Sequence, residues 1–146
     1  MTRDEFIAEY YKFSARAIKL AEKARREGLL SMEEEIDSDK YNRRDIFEYG
    51  LRLAVDGTDV AILRGILSNI IMQEEDKYAR RLMELKLEAV LSIQAGENPR
   101  ITVSKLNSYT DLNLTDNQII LKYVDETDDK GKFSEDEIDA LIGGLN

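Results

Sequence analysis

Leu20-Ala-Glu-Lys-Ala-Arg-Arg-Glu-Gly-Leu-Leu-Ser-Met-Glu33 is the stretch in which a charged amphipathic helix stops and at once restarts. Gly28 stands where a helix ends in a residue that tolerates positive φ. Ser31, with Glu34 three residues on, has the pattern of a capping box and predicts a short helix from Ser31 to about Ile36. Arg25, Arg26, Glu27, Glu33 and Glu34 therefore crowd around one sharp helix junction. In an arbitrary sequence such a junction is a corner with solvated charges.

Working outward toward the N-terminus, Phe6, Tyr10, Phe13, Ala17, Leu20 or Ala21, and Ala24 recur at alternating spacings of three and four. That stripe predicts a helix from about Arg3 to Glu27, with Lys12, Arg16, Lys19, Lys23 and Arg26 largely on the other side. Toward the C-terminus, residues 37–44 are polar and without period, a loop. Asp45 with Glu48 then caps a helix carrying Ile46, Phe47, Leu51, Ala54 and Val55, which ends at the turn dipeptide Asp56-Gly57.

Thr58 or Asp59 caps the next element. One apolar stripe (Val60, Leu63, Leu67, Ile70, Ile71) is followed by a second (Tyr78, Leu82, Leu85, Ala89), and the polar run Gln73-Glu-Glu-Asp-Lys77 between them holds no glycine or proline. The expectation is one long helix over about 59–95, roughly 54 Å at 1.5 Å per residue, kinked at the polar run or projecting to pair with a second copy. Gly96 and Pro99 end it, and a short turn of helix follows near residues 104–108. Thr115 with Gln118 and Ser134 with Glu137 cap two further helices flanking an acidic loop, and Gly143-Gly144 closes the last. The predicted class is all-α: a helical bundle or hairpin over residues 1–110 and a C-terminal helix–loop–helix over 111–146.

Composition excludes several chemistries. The chain has 146 residues, one proline, and neither cysteine nor histidine. Thiol nucleophiles, thiolate zinc sites, imidazole acid–base catalysis and disulfides are all ruled out. The formal charge of −9 argues against nucleic acid, which needs a basic face. No apolar run approaches the ~20 residues of a membrane span, and the start lacks the apolar core of a signal peptide. A soluble cytoplasmic protein is expected.

The acidic loop has an imperfect likeness to a calcium-binding hand. With Gly131 at the glycine position, Glu126, Asp128, Ser134 and Glu137 occupy ligand positions, but Lys130 places a cation at another. Calcium is thus the one cofactor to consider, and none is otherwise expected. There is no glycine-rich phosphate loop and no constellation for hydrolysis, so an enzyme is not expected.

The string over 20–35, extended by Glu34 and Glu35, resembles the cytoplasmic segment of the MotA family of flagellar stator proteins. The resemblance continues in order through Gly50-Leu-Arg-Leu-Ala-Val-Asp-Gly-Thr-Asp59, Leu63-Arg-Gly-Ile-Leu67 and Ile93-Gln-Ala-Gly-Glu-Asn-Pro-Arg-Ile101. In all it covers residues from about 6 to 106. The family's last two membrane helices would lie between the segments matching Ile71 and Ile93, where this chain has hydrophilic residues, and its first two would precede the match to the first helix. The resemblance therefore implies the family's cytoplasmic face without its ion conduction. In that family an arginine and a glutamate of the first motif engage the rotor protein FliG, and they match Arg25 and Glu33.

Ser134-Glu-Asp-Glu-Ile-Asp-Ala-Leu-Ile-Gly-Gly-Leu145 resembles the N-terminal peptide of the switch protein FliM, which binds the response regulator CheY. Its core matches Glu137, Ile138, Asp139, Ala140, Leu141 and Ile142. Ile138, Leu141 and Ile142 also form an i, i+3, i+4 stripe, suited to a partner's groove or to packing within their own helix pair. The implied function is a non-enzymatic adaptor or regulator of the flagellar motor, recruited to the motor at the inner membrane. FliG, FliM, a MotA-type stator and CheY are the candidate partners. The alternatives are a homo-oligomeric scaffold and a calcium-responsive module.

Overall fold

The first helix, α1, spans Arg3–Glu27, as the three-four stripe predicts. In the computed structural model, residues 1–37, 39–115 and 118 are described, and these are all-α with no strand. A capping box starts α1: the Thr2 hydroxyl accepts from the Glu5 N–H, and the Glu5 carboxylate accepts from the Thr2 N–H. All the stripe residues are buried, and so are Tyr11, Ser14, Ala15 and Ile18. α1 thus buries a wider face than a single seam, because more than one element covers it.

A 3-10 segment, Leu29–Glu35, follows α1, and then come α2 (Ile46–Val55), α3 (Val60–Ile71), α4 (Lys77–Ala95) and α5 (Pro99–Asn107). Helix α4 is the hub, packing against α1, α2, α3 and α5. From Leu85 to Ile93 it is buried on nearly every side. Phe13 of α1 meets Phe47 of α2 edge-on at 4.9 Å, and this pair is bracketed by cations, with Lys86 over Phe13 and Arg16 over Phe47. Arg16 also pairs with Glu48 at 2.8 Å, so a charge placed opposite the apolar stripe ties α1 to α2.

The expected long helix over 59–95 is two helices. Asp76 is the reason: its backbone is extended, and its Oδ1 accepts from the Ala79 N–H at 2.8 Å, which makes it the N-cap of α4. On the other side, Gln73 and Glu74 donate to the carbonyls of Ile70 and Ile71, tightening the last turn of α3. Arg80 reaches back to the Glu74 carbonyl, its Nε at 2.7 Å, and fixes the bend. A polar run without glycine or proline can therefore end one helix and start the next when it contains an aspartate with a free amide three residues on. α3 and α4 consequently pack side by side. Among the described residues no helix is long and apolar enough to cross a membrane.

Other boundaries follow the sequence closely. Asp45 caps α2 through the Glu48 N–H. Gly57, at φ +82°, closes α2 with paired bonds from Gly57 to Ala54 and from Thr58 to Leu53, and Gly96 closes α4 in the same way. The short helix expected at residues 104–108 is longer: Asn98 caps it and Pro99 occupies its first turn, where a missing N–H costs nothing. Pro99 both follows one helix and begins the next. Thr115 and Gln118 exchange both bonds of a capping box. The acidic loop and final helix expected beyond them lie outside the described residues.

The tightest packing is at Gly50 on α2. A Cβ there would stand 2.7 Å from Val90 Cγ2 and 3.1 Å from Leu67 Cδ1. Gly50→Ala should therefore destabilise by about 1–3 kcal/mol from overpacking, despite the ~1 kcal/mol that alanine gains in helix propensity. In urea melts, combining it with Val90→Ala should give a loss smaller than the sum of the two single losses, since one removes the atoms the other strikes.

Candidate functional site

The corner after α1 is built by one glycine, one methionine and one lysine. Gly28 has φ +93° and ψ 160°, a conformation that L side chains avoid, and its N–H donates to the Ala24 carbonyl at 2.8 Å. The chain leaves it in the 3-10 segment Leu29–Glu35, whose Met32 is 0% exposed and anchors the segment in the core. Lys23, largely sheltered, donates to Glu34 and Glu35, both at 2.9 Å. Those two carboxylates, Glu35 first, hold its ammonium well above the usual lysine range. The last turns of α1 and the 3-10 segment are thereby tied together from inside and outside.

Ser31 does not cap a new helix. Its Oγ donates to the Gly28 carbonyl at 2.6 Å, and Glu34, expected to close the capping box, is engaged by Lys23 instead. A 3-10 segment takes its carbonyl acceptors from three residues back, and the Ser31 N–H and hydroxyl both donate to Gly28, so the side chain joins the tight turn rather than opening an α-helix.

Arg25 and Glu33 both lie on the exposed side of this corner. Neither side chain has a hydrogen-bond or ion-pair partner among the described residues, so the two are not paired with each other. Arg26 is exposed and lies 3.9 Å from Glu22. Leu30, 67% exposed, stands between the two charged flanks, and sequence reasoning missed it. Its signal was the Leu29-Leu30 pair, of which a tight turn directs one inward; Leu29 packs against the core. The surface thus presents an unpaired cation, an apolar side chain and an unpaired anion on a braced backbone. Such charges orient an encounter and select partners more than they add affinity. The tail candidates Glu137, Ile138, Asp139, Ala140, Leu141 and Ile142, and the calcium candidates Glu126, Asp128 and Ser134, lie outside the described residues.

A second feature was not visible in the sequence. A cleft of about 230 Å³ opens where the N-terminal turns of α1 and α4 meet residues 109–111. Arg3 clamps Asp111 bidentately across it, Nε to Oδ2 at 2.9 Å and Nη2 to Oδ1 at 2.5 Å, and holds that carboxyl below its usual range. Tyr109 lines the same wall and donates to Glu88 at 3.2 Å. Burial, reinforced by the Glu88 charge, pushes its phenol up to about 12.

Comparison with known proteins gives partial similarities. The chain is 37% identical over 79 residues to motility protein A of Treponema phagedenis, covering 53% of this chain and 29% of that protein. It is 36% identical over 61 residues to motility protein A of Borreliella burgdorferi, covering 42% of this chain and 22% of that protein. The chain thus spans less than a third of the length of these curated relatives, and the similarity supports a MotA-like relationship over part of the chain. No family profile matches it, and no solved structure does.

The two kinds of residue at the corner should separate in stability measurements. Met32→Ala should cost about 2–5 kcal/mol in chemical denaturation, whereas Arg25→Ala and Glu33→Ala should each stay within about 0.5 kcal/mol of the parent. Tyr109 should be legible in an alkaline titration followed by phenolate absorbance. Its folded pKa is raised, so the stability it contributes is present below about 10, its unfolded value, and is lost as pH rises through about 12. The step near 12 should vanish in Tyr109→Phe.

Proposed function

We propose that this protein is a non-enzymatic adaptor or regulator of the flagellar motor. Its corner at Arg25, Leu30 and Glu33 faces the rotor protein FliG, and its C-terminal segment 134–145 is offered to CheY. The observation that carries the rotor half is the pair of exposed, unpaired charges on a backbone braced by Met32 and Lys23. A surface charge kept only for stability would gain from a neighbour of opposite sign, and these two have none among the described residues. The partial similarity to motility protein A supports the same direction. The CheY half rests on the likeness of residues 134–145 to the switch-protein peptide, with Ile138, Leu141 and Ile142 as the groove-filling stripe.

The scaffold alternative drew on an unbroken helix over 59–95, and the bend at Met72–Asp76 removes that basis. Val60 and Ile62 of α3 and Met72 at its end are the exposed apolar side chains that a pairing through this helix would use.

Charge reversal tests the rotor assignment. Arg25→Glu and Glu33→Lys, introduced in the flagellated host, should each change swimming through soft agar severalfold while leaving the level of folded protein unchanged. Restoration of swimming by a compensating reversal on FliG would identify the contact. Normal swimming in both single variants and in the double variant would contradict it.

A further inference from the structure

The cleft where the N-terminal turns of α1 and α4 meet residues 109–111 sets three cations, Arg3, Lys77 and Arg81, against one carboxylate, Asp111. The bidentate clamp uses up Arg3 and Asp111 together, so two positive charges are left over. Lys77 lies over the Tyr78 ring at 5.5 Å and has no hydrogen-bond or ion-pair partner among the described residues. Arg81 donates its Nε to the Tyr109 carbonyl at 2.6 Å, which fixes the guanidinium, and its Nη groups have no partner among the described residues. The two are four residues apart on α4, so one turn of helix sets both on the same face. Asp76, the acid next to Lys77, is already engaged by the Ala79 N–H.

The rest of the lining is largely aromatic. Phe6 and Tyr78 lie 5.7 Å apart with their planes 32° from parallel, and the Tyr109 ring is held by its bond to Glu88 at 3.2 Å. The Tyr78 hydroxyl has no hydrogen-bond partner among the described residues, which leaves one more donor in the lining. Two unspent cations beside a preformed aromatic wall suit a molecule with a doubly charged head and a flat body. A carboxylate would meet only one of the two charges. A phosphate monoester, with a charge of about −1.5 to −2 at neutral pH and three acceptor oxygens, meets both. The Nη pair of a fixed arginine also matches phosphate oxygens end-on. Volume sets the size of the body: the cleft's about 230 Å³ falls below the roughly 300–1,000 Å³ of sites for drug-sized molecules, which limits it to about one ring.

We infer that the cleft formed by Arg3, Lys77, Tyr78, Arg81 and Tyr109 binds a small phosphate monoester carried on a single ring. The Lys77 ammonium and the Nη groups of Arg81 take the phosphate oxygens, and the two tyrosines supply the surface for the ring. Arg3 is a positioning residue, neutralising Asp111 so that its carboxylate does not repel the ligand. The site lies at the opposite end of α1 from the corner at Arg25 and Glu33, and it does not depend on the motor role.

Titration calorimetry of the full chain with phenyl phosphate tests this, and NMR of the labelled protein locates the site. Phenyl phosphate should bind once per chain, with amide shifts centred on residues 77–81 and 109–111. Lys77→Gln and Arg81→Gln should each weaken binding about tenfold, the loss expected for one charge-assisted hydrogen bond. Arg100→Gln, which removes an exposed cation on α5, should leave it unchanged. Benzoate, with one charge, and inorganic phosphate, with no ring, should each bind severalfold more weakly. Lys77 makes no hydrogen bond, so its substitution spares the fold, and the Tyr109 step near 12 should persist in that variant. Inorganic phosphate bound as tightly as phenyl phosphate would indicate an adventitious ion only and would overturn the inference. So would the absence of heat and of shifts at millimolar phenyl phosphate, or binding that both glutamine variants leave unchanged.

Discussion

The burial of α4 between Leu85 and Ile93 is the constraint from which the rest of the fold follows. Seven of the nine side chains in that stretch are buried, so no single neighbour can cover it. Four helices do: α1, α2, α3 and α5. The bend at Met72–Asp76 lets α3 turn back and become one of those four, and Gly50 lets α2 approach closely enough to meet Val90. Gln94 adds a polar tie, its Nε2 donating to the Thr58 carbonyl in the turn between α2 and α3. Remove the bend, and α3 would continue away from the hub with Leu63, Leu67, Ile70 and Ile71 in water.

Two surfaces at different places on this scaffold have opposite designs. The corner after α1 is rigid in backbone and unsatisfied in charge: Met32 and Lys23 are committed to structure, whereas Arg25, Leu30 and Glu33 are free of it. The cleft is satisfied on one wall, where Arg3 holds Asp111, and unsatisfied on the other, where Lys77 and Arg81 sit. On a protein of net charge −9, Lys77 and Arg81 thus set local positive charge, without a carboxylate partner among the described residues, against the overall sign. Steering by such local fields falls with ionic strength, so the two surfaces share a physical signature in salt dependence.

Much of this fold was legible in the sequence where the controlling interactions are local. The limits of α1 followed from its three-four stripe, and Asp45, Gly57, Gly96 and the Thr115–Gln118 pair act as their residue types dictate. Expectations failed where a distant group decides. Asp76 looks like one acid among several until its free amide partner at Ala79 and the grip of Arg80 on Glu74 are known. Ser31 followed by Glu34 is a capping pattern, but Lys23, eleven residues before Glu34, takes the carboxylate that would have completed it. Pro99 marks the stop after α4 in the sequence, and the same missing N–H makes it a good first residue of α5. Of the candidate site, Arg25 and Glu33 are exposed on either side of the turn at Gly28, where the sequence places them. The cleft was not legible there, because Arg3, Lys77 and Tyr109 are far apart in the chain and only the packing of α1, α4 and residues 109–111 brings them together.

The proposed motor role turns on whether the corner is a binding surface. Residue-resolved NMR of the isotopically labelled full chain, titrated with FliG, reads this most directly. The account predicts amide shifts centred on Arg25, Leu30 and Glu33, with the core positions of α4 unmoved and the shifts suppressed in Arg25→Glu. Absence of shifts at saturating FliG, or shifts confined to the outward side of α3 around Ile62 and Met72, would contradict it.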